Sequence, residues 1–254
     1  MTLAFDVPAS RPSIIARLDP RWKLSALLLY VLALVLLRSP GPALAGLLGA
    51  LVLVAAGRLP WAWYLRRLGV ALVMFTLFLL WLPLVVEDHH TTIQIGFVTL
   101  SLEGLARLGV LTAKLGAMLS LALLLLATAP LQDTFKAAHC LHVPGLLIQL
   151  VMLTYRYVFL IVEELSRIRT ALRVRGFRAK TDAHTYRTIG QVAGTLLVRS
   201  HERAERVEQA MRSRGFDGEF RSLHEFRTQP ADVLAFSLIV GYAALVLAWD
   251  LWTR

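Results

Sequence analysis

An arginine-rich pattern occurs twice in the second half of the chain. Ala-x-Arg-x-Arg-Gly-Phe occupies residues 171–177 and again residues 210–216. It closes two longer copies, 163–177 and 202–216, which share seven of fifteen positions at an offset of 39 residues. Guanidinium groups fork to carboxylates and carbonyl oxygens. The chemistry that this pattern offers is therefore recognition of a partner.

Each copy predicts the end of a helix. Gly176 and Gly215 suit the position after the C-cap because glycine readily adopts positive φ, and the phenylalanine that follows can pack back on the last turn, as in a Schellman cap. Arginine near a helix C-terminus is favoured by the helix dipole. Capping explains the glycine and the phenylalanine, but it does not explain why both ends carry the same arginine pair at i and i+2.

We therefore expect both helix tips to dock in grooves of a partner, with arginine as the polar group and phenylalanine as an apolar anchor. Two copies predict two equivalent docking sites, which a dimeric or pseudo-dimeric partner would supply. The candidate docking residues are Ala171, Arg173, Val174, Arg175, Gly176 and Phe177 in the first tip, and Ala210, Arg212, Ser213, Arg214, Gly215 and Phe216 in the second.

Other groups that could do chemistry give weaker patterns. His139, Cys140 and His142 could place two ligands on one helix face, but a stable metal site normally needs three or four, so an interfacial role is expected. The acidic loop 87–103 has no lysine or arginine and is therefore predicted to be external. It could attract a divalent cation with Glu87, Asp88, His89 and His90, although adjacent histidines rarely chelate together. No metal site is predicted. The chain lacks a phosphate-binding Gly-x-x-x-x-Gly-Lys-[Ser/Thr] loop, so we expect that it does not hydrolyse ATP itself.

Composition indicates a membrane protein. Of 254 residues, 57% are hydrophobic and 17% are charged, whereas soluble domains are about 45–50% apolar and about 25% charged. The simplest explanation of the net charge of +10 is that lysine and arginine collect on the cytoplasmic side of membrane proteins. One cysteine excludes an internal disulfide framework.

Five segments predict transmembrane helices: 22–37, 43–56, 68–86, 105–129 and 233–252. Trp61, Trp63 and Tyr64 suit the headgroup region before the third segment. Lys114 lies within the fourth, where a charge is a functional hypothesis by default, although snorkelling or facing the bundle interior is favoured. The second segment has a face of small residues that suits close packing against a partner or a neighbouring span: Gly41, Ala43, Ala45, Gly46, Gly49, Ala50 and Gly57.

A sixth apolar stretch, 146–162, is predicted to lie at the cytoplasmic interface. If it crossed the membrane, the basic region 167–227 would lie outside, against the positive-inside rule, and Arg156 would lie within the span. A sixth true span is the alternative. The preferred topology divides the chain into membrane helices (1–129), a cytoplasmic domain (130–230) and a last membrane helix (231–254). The cytoplasmic domain would contain a short amphipathic helix at 131–141 and long helices from 145 to 175 and from 184 to 214.

The sequence resembles the transmembrane (T) component of energy-coupling factor (ECF) transporters, most closely the CbiQ branch. The resemblance covers nearly the whole chain. Its motifs are Arg17-Leu-Asp-Pro-Arg-Trp-Lys-Leu24, Leu153-Thr-Tyr-Arg-Tyr-Val-Phe159 followed by Glu163-Glu164, and both Arg-Gly-Phe tips. Many relatives have alanine before the tip arginine, where this chain has Val174 and Ser213.

The resemblance implies a fold, a function and partners. The fold would be an all-α integral membrane protein of about five transmembrane helices, with a cytoplasmic coupling domain of one short amphipathic and two long crossing helices. Val174-Arg-Gly176 and Ser213-Arg-Gly215 would dock on two ATP-binding cassette (ABC) ATPases. ATP and magnesium would be bound by those subunits, which would carry out the hydrolysis, and this chain would be a non-catalytic subunit that holds no cofactor. A substrate-binding membrane subunit, CbiM-like, with or without a small CbiN-like subunit, would receive cobalt or nickel.

By the same resemblance the chain lies in a prokaryotic cell membrane. The loop charges and the five predicted spans place the N-terminus and 130–230 in the cytoplasm and the C-terminus outside. Two other functions remain open. A self-sufficient channel or secondary carrier would need polar residues lining several spans or interrupted helices in repeated halves. A membrane-anchored nucleic-acid binder would need a basic stripe with stacking aromatics, whereas these arginines lie at helix ends or alternate with glutamate, so no nucleic-acid partner is expected.

Overall fold

The computed structural model describes residues 13, 15–79, 92–95, 98–141, 143–216 and 228–253. The chain divides into two compact units, one of Met1–Leu141 with Phe226–Arg254 and one of His142–Glu225. The helices in the described part of the chain confirm the predicted all-α architecture.

The first unit is built from helices α1 (Pro20–Leu36), α2 (Pro40–Ala56), α3 (Trp61–Leu79), α4 (Leu102–Thr128), α5 (Leu131–Cys140) and α8 (Pro230–Trp252). Proline begins three of these helices because its fixed φ and missing N–H suit a first helical turn. The short helix α5, which the sequence analysis assigned to the cytoplasmic domain, contacts α1 and belongs to this unit.

Two local predictions differ from the structure. Helix α3 begins at Trp61, seven residues before the predicted start, so Trp61, Trp63 and Tyr64 form its first turn. Tyr64 is buried there, and its hydroxyl lies 2.7 Å from the Ser120 hydroxyl of α4. The predicted external loop also contains an antiparallel hairpin, β1 (Thr92–Ile95) and β2 (Val98–Ser101), in which Thr92 pairs with Ser101.

The small-residue face of α2 packs inside the first unit. A Cβ atom at Gly49 would overlap the Tyr30 side chain of α1 and the Tyr242 side chain of α8. The Tyr30 hydroxyl donates a 2.8 Å hydrogen bond to the Gly46 carbonyl, and the Tyr242 hydroxyl donates one of 2.8 Å to the Ala45 carbonyl. Of the two partners that the sequence left open, the neighbouring spans are therefore the ones these residues contact.

The second unit consists mainly of two long helices, α6 (Gly145–Val174) and α7 (Ala183–Ser213). Both match their predicted bounds to within one residue. They approach each other closely over only a short stretch. The side chain of Asp182 caps α7 by accepting a 2.8 Å hydrogen bond from the Thr185 amide, and bonding to Thr185 holds the pKa of this carboxyl below its usual range.

Four helical segments in the described part of the chain are long and apolar enough to span a membrane: Trp61–Leu79, Ala106–Thr128, Gly145–Val174 and Pro230–Trp252. Helices α1 and α2, with 17 residues each, are shorter. Length and apolarity thus admit α6 as a span, while its predicted position at the interface stays a prediction. Large apolar side chains such as Leu77 and Phe78 on α3 are exposed, as expected for a surface that faces lipid.

Candidate functional site

The first helix tip has the predicted Schellman geometry. Helix α6 ends at Val174, Arg175 is the C-cap, and Gly176 follows with φ of +79°. The Phe177 amide donates a 3.0 Å hydrogen bond to the Leu172 carbonyl, and the Gly176 amide donates one of 3.0 Å to the Arg173 carbonyl. These two bonds satisfy the last carbonyls of the helix and define the motif.

The second tip repeats this geometry. Arg214 is the C-cap of α7, and Gly215 follows with φ of +74°. The Phe216 amide donates to the Met211 carbonyl at 3.1 Å, and the Gly215 amide donates to the Arg212 carbonyl at 3.0 Å. The sequence repeat is therefore also a structural repeat.

The two tips also agree in which side chains are exposed. Arg175 and Arg214 are exposed, whereas Phe177 and Phe216 are only half-exposed. The other exposed members of the predicted site are Ala171, Arg173, Val174 and Gly176 in the first tip, and Ala210, Arg212, Ser213 and Gly215 in the second. Each tip thus presents a short surface of arginines and small or apolar groups, and each is formed by its own consecutive residues.

The phenylalanines contact their own unit more than the sequence suggested. The Phe177 ring lies 6.3 Å from the His184 ring at the start of α7, measured between centroids. Phe216 lines a groove of about 570 Å³ between α6 and α7. The arginines are therefore the groups most available to a partner, and the phenylalanines help to hold the tips in place.

Arginine charge is differently compensated at the two tips. Arg212 forms an ion pair with Glu208 one turn earlier on α7. Within the described residues no ion pair is found for Arg175 or Arg214. An exposed guanidinium can form bidentate bonds to a carboxylate or to carbonyls of another protein.

An ion cluster connects the two long helices. Glu164 of α6 accepts a 2.6 Å hydrogen bond from Arg199 and one of 3.1 Å from Arg203, both on α7. In the sequence Glu164 stands out only as part of the family resemblance, because nothing local indicates a partner 35 or 39 residues away.

Lys114 faces backbone carbonyls at the end of α1. Its Nζ donates hydrogen bonds of 2.8 Å to the Val35 carbonyl and 2.7 Å to the Leu37 carbonyl. Beside it, buried Asp250 of α8 accepts from the amides of Arg38 and Ser39 at 3.1 and 2.8 Å. The two charged groups therefore hold the connection between α1 and α2.

The other end of α1 is held in a similar way. Lys23, which is buried, donates to the Ile15 and Thr128 carbonyls at 3.2 and 3.1 Å. Buried Asp232 accepts from the Asp19 amide at 2.9 Å and from the Gln229 amide at 2.7 Å. In the sequence Lys23 stands out only within the motif of residues 17–24 that carries the family resemblance. Asp232 and Asp250 were missed, although a carboxylate near the end of an apolar helix is a signal that could have found them.

The weaker metal candidates gain no support from geometry. In the described ranges no group of three or more histidine, cysteine or acidic side chains is placed to hold a metal ion. Cys140 is exposed at the end of α5 beside His139. The remaining candidates, His142 and the cluster Glu87, Asp88, His89 and His90, lie outside the residues that the structure describes.

Comparison with known proteins gives one consistent family. The family CbiQ, described as "Cobalt transport protein", matches residues 11–225. The cobalt transport protein CbiQ of Rhodobacter capsulatus is 35% identical over 159 residues, which cover 61% of this chain and 64% of that protein. The nickel permease LarQ of Lactiplantibacillus plantarum is 32% identical over 122 residues, or 48% of this chain and 44% of that protein.

Similarity to a third relative extends over nearly the whole chain. The energy-coupling factor transporter transmembrane protein EcfT of Bacillus selenitireducens is 26% identical over 252 residues, covering 93% of this chain and 92% of that protein. The similarity to CbiQ of Rhodobacter capsulatus and to LarQ covers less than two thirds of the length of each of those proteins.

Proposed function

Because the chain belongs to the CbiQ family of cobalt transport proteins, we propose that it is the coupling subunit of an ATP-driven ECF-type importer. The observation that carries the proposal is the pair of helix tips with matching caps and exposed arginines. Two matching surfaces in one chain suit a partner with two matching grooves, such as a pair of ABC ATPase subunits.

In this function the chain transmits motion and performs no chemistry. The ATPases would bind ATP and magnesium and change their separation during hydrolysis. Arg175 and Arg214 would hold the tips in the ATPase grooves, and the long helices α6 and α7 would carry the displacement toward a substrate-binding membrane subunit. A helix suits this task because its backbone hydrogen bonds keep it rigid along its axis.

The cargo is proposed from the relatives. Two of them are named for cobalt and for nickel, and we assign this chain to a cobalt or nickel importer. The metal would be recognised by the substrate-binding subunit. The multi-pass chain would lie in a prokaryotic cell membrane with both helix tips in the cytoplasm, on the side where ATP is available.

The first experiment is co-purification. We would express the tagged chain in its native host, isolate it in mild detergent and quantify the proteins that accompany it. We expect an ABC ATPase in twofold excess with the unchanged chain, and its loss in the double variant Arg175→Glu/Arg214→Glu, because two reversed charges would repel the groups that the arginines bind. Metal uptake should be abolished while membrane insertion is unchanged.

A matched control comes from the same repeat. Arg167 and Arg206 are repeat-equivalent, exposed and two turns before the tips, so Arg167→Glu/Arg206→Glu makes the same change in net charge two turns away from the tip arginines. It should retain the ATPase. Normal transport by the Arg175/Arg214 variant would refute tip docking. A chain that purifies alone and moves ions in liposomes would instead be a channel or carrier.

A further inference from the structure

We propose that Glu164, together with Arg203 and Arg199, is the pivot at which α6 and α7 cross, and that this ion cluster sets the relative position of the two helix tips. The proposal rests on the coupling function in that the tips are taken as docking sites. Glu164 is a positioning residue, since it would act on the partner only through the tips.

The cluster differs from the neighbouring ion pairs of these helices. The other pairs found in the described part of α6 and α7 join residues one turn apart on a single helix: Arg167 with Glu163, His201 with Glu205, Arg206 with Glu202 and Arg212 with Glu208. Glu164 instead bonds to the other helix with both of its carboxylate oxygens. Its side chain is also better shielded, at 20% exposure against 55% for Glu163.

The position of the cluster in the repeat is specific. Glu164 and Arg203 are 39 residues apart, which is the offset of the repeat, so they occupy equivalent positions in its two copies. Each precedes its tip arginine, Arg175 or Arg214, by eleven residues. At about 1.5 Å per helical residue, both tips therefore lie about 16 Å along the helix from the point where the equivalent residues meet.

The surrounding groove shows how the helices pass each other. On one side of the ion cluster it is lined by α6 residues that precede Glu164, such as Tyr157 and Ile161, and by α7 residues that follow Arg203, such as Val207 and Met211. The helices are thus antiparallel at the crossing. Antiparallel helices that meet at repeat-equivalent residues are related by an approximate twofold axis through that point, which gives the two arms equal length.

Charge is well suited to define this crossing point. Apolar groups along the groove, such as Val158, Ile161 and Ala204, would tolerate sliding by a turn because their contacts are not directional. A carboxylate held by two guanidinium groups has one favourable position, as buried polar residues do when they fix register in coiled coils. The ion cluster would therefore fix the register of the arms, while apolar packing holds them together.

The test measures the distance between the arms in the full chain. Spin labels would be placed at the exposed repeat-equivalent positions Thr170→Cys and Gln209→Cys in a Cys140→Ser background, in lipid nanodiscs. We expect a narrow distance distribution in this parent and a broader or shifted one in Glu164→Ala and in Glu164→Arg. The control Glu163→Ala, which removes only a pair within α6, should leave the distribution unchanged.

A charge exchange separates pairing from any other effect of the glutamate. In Glu164→Arg/Arg203→Glu the carboxylate moves to position 203, where it faces the guanidinium introduced at position 164 across the crossing and lies near Arg199 one turn earlier on its own helix. The cluster of one acid and two bases is thereby kept. We expect the parent distribution to return. An unchanged distribution in Glu164→Ala, or a double exchange that fails to restore it, would overturn the proposal.

The pivot and the coupling function can fail separately. Distances in the isolated chain test the pivot even when no ATPase is bound. In the assembled transporter we expect Glu164→Ala to retain the ATPase, since both tips are intact, but to lose several-fold in metal uptake per ATP hydrolysed, with recovery in the exchanged pair. Absence of an ATPase from the parent complex would reject the coupling function alone, whereas unchanged uptake per ATP in Glu164→Ala would reject the pivot.

Discussion

Individual charges in the membrane unit complete the hydrogen bonding of helix ends. Lys23 and Lys114 donate to carbonyls, while Asp232 and Asp250 accept from amides. An unpaired backbone group is costly where water is scarce, so a charged side chain that satisfies two of them is stabilising despite its own desolvation. These four residues are thereby explained as structural, which removes Lys114 as support for a channel or carrier.

Replacing Lys114 tests this assignment. In Lys114→Met the Val35 and Leu37 carbonyls lose their donor, which should cost about 1–3 kcal/mol. We expect a lower midpoint of thermal unfolding in detergent. The control Lys136→Met alters a lysine of α5 for which the described residues offer no hydrogen bond. Unchanged stability with lost transport in Lys114→Met would instead indicate a role in the substrate path.

Sequence could single out Lys114 but could not identify its partners. Backbone carbonyls carry no residue-specific signal, and the two that Lys114 contacts lie at the C-terminal end of another helix, 79 and 77 residues earlier. The tips were predictable in detail because the Arg-Gly-Phe order specifies a local cap. The partner of Glu164 was only partly predictable. Arg203 follows it by 39 residues, which is the offset of the repeat, but their contact depends on how the two helices cross.

At the scale of elements, close packing of α2 against α1 and α8 depends on Gly49. A side chain there would overlap Tyr30 and Tyr242, which both donate hydrogen bonds to α2 carbonyls. Small residues allow this approach, and apolar packing is the main attraction between helices in lipid. The small-residue face therefore packs against neighbouring helices of the same unit.

Gly49→Ala should separate α2 from the two tyrosines. Overpacking of this kind typically costs about 1–3 kcal/mol, so we expect a lower unfolding midpoint and less folded protein in the membrane. Gly241→Ala is the matched control, because nothing lies within 4 Å of a Cβ atom added at Gly241. Equal stability of the two variants would contradict the packing of α2 described here.

Helix bounds were predictable where caps and prolines mark them, as in α6, α7 and α8. The start of α3 was missed because Trp61, Trp63 and Tyr64 were assigned to the headgroup region, which is compatible with a helical turn. The hairpin was missed because 92–101 was treated only as an acidic loop. In Thr-Ile-Gln-Ile and in Val-Thr-Leu-Ser, polar and apolar residues alternate, and this alternation is typical of a strand.

At the scale of the whole molecule, topology depends on α6. This helix of 30 residues is long and apolar enough to span a membrane. Its C-terminal half, however, ends in the basic tip that the proposed function requires in the cytoplasm. The sequence and the structure thus agree on the bounds of α6, and the side of the membrane on which its tip lies is inferred from the distribution of charge. The positive-inside rule favours a cytoplasmic second unit.

Reporter fusions decide between the two topologies. A reporter inserted at Lys180 should be active as a cytoplasmic fusion, and one fused at Arg254 as an extracytoplasmic fusion, because α6 would not cross. If α6 crosses, both signals reverse, since one more span exchanges the sides of everything after it. A reversed pair would also place the tips away from ATP and reject the docking proposal.

The lengths of the first two helices have a consequence for the surrounding lipid. Helices α1 and α2 have 17 residues each, about 25 Å of helix, whereas α4 has 27 residues and α8 has 23. A typical hydrocarbon layer is about 30 Å thick. If α1 and α2 span the membrane as predicted, a bilayer that thins beside them by several ångströms accommodates their length, at a cost of a fraction of a kcal/mol per ångström. The chain is thus matched unevenly to its bilayer, and lipids with shorter acyl chains should gather along this edge.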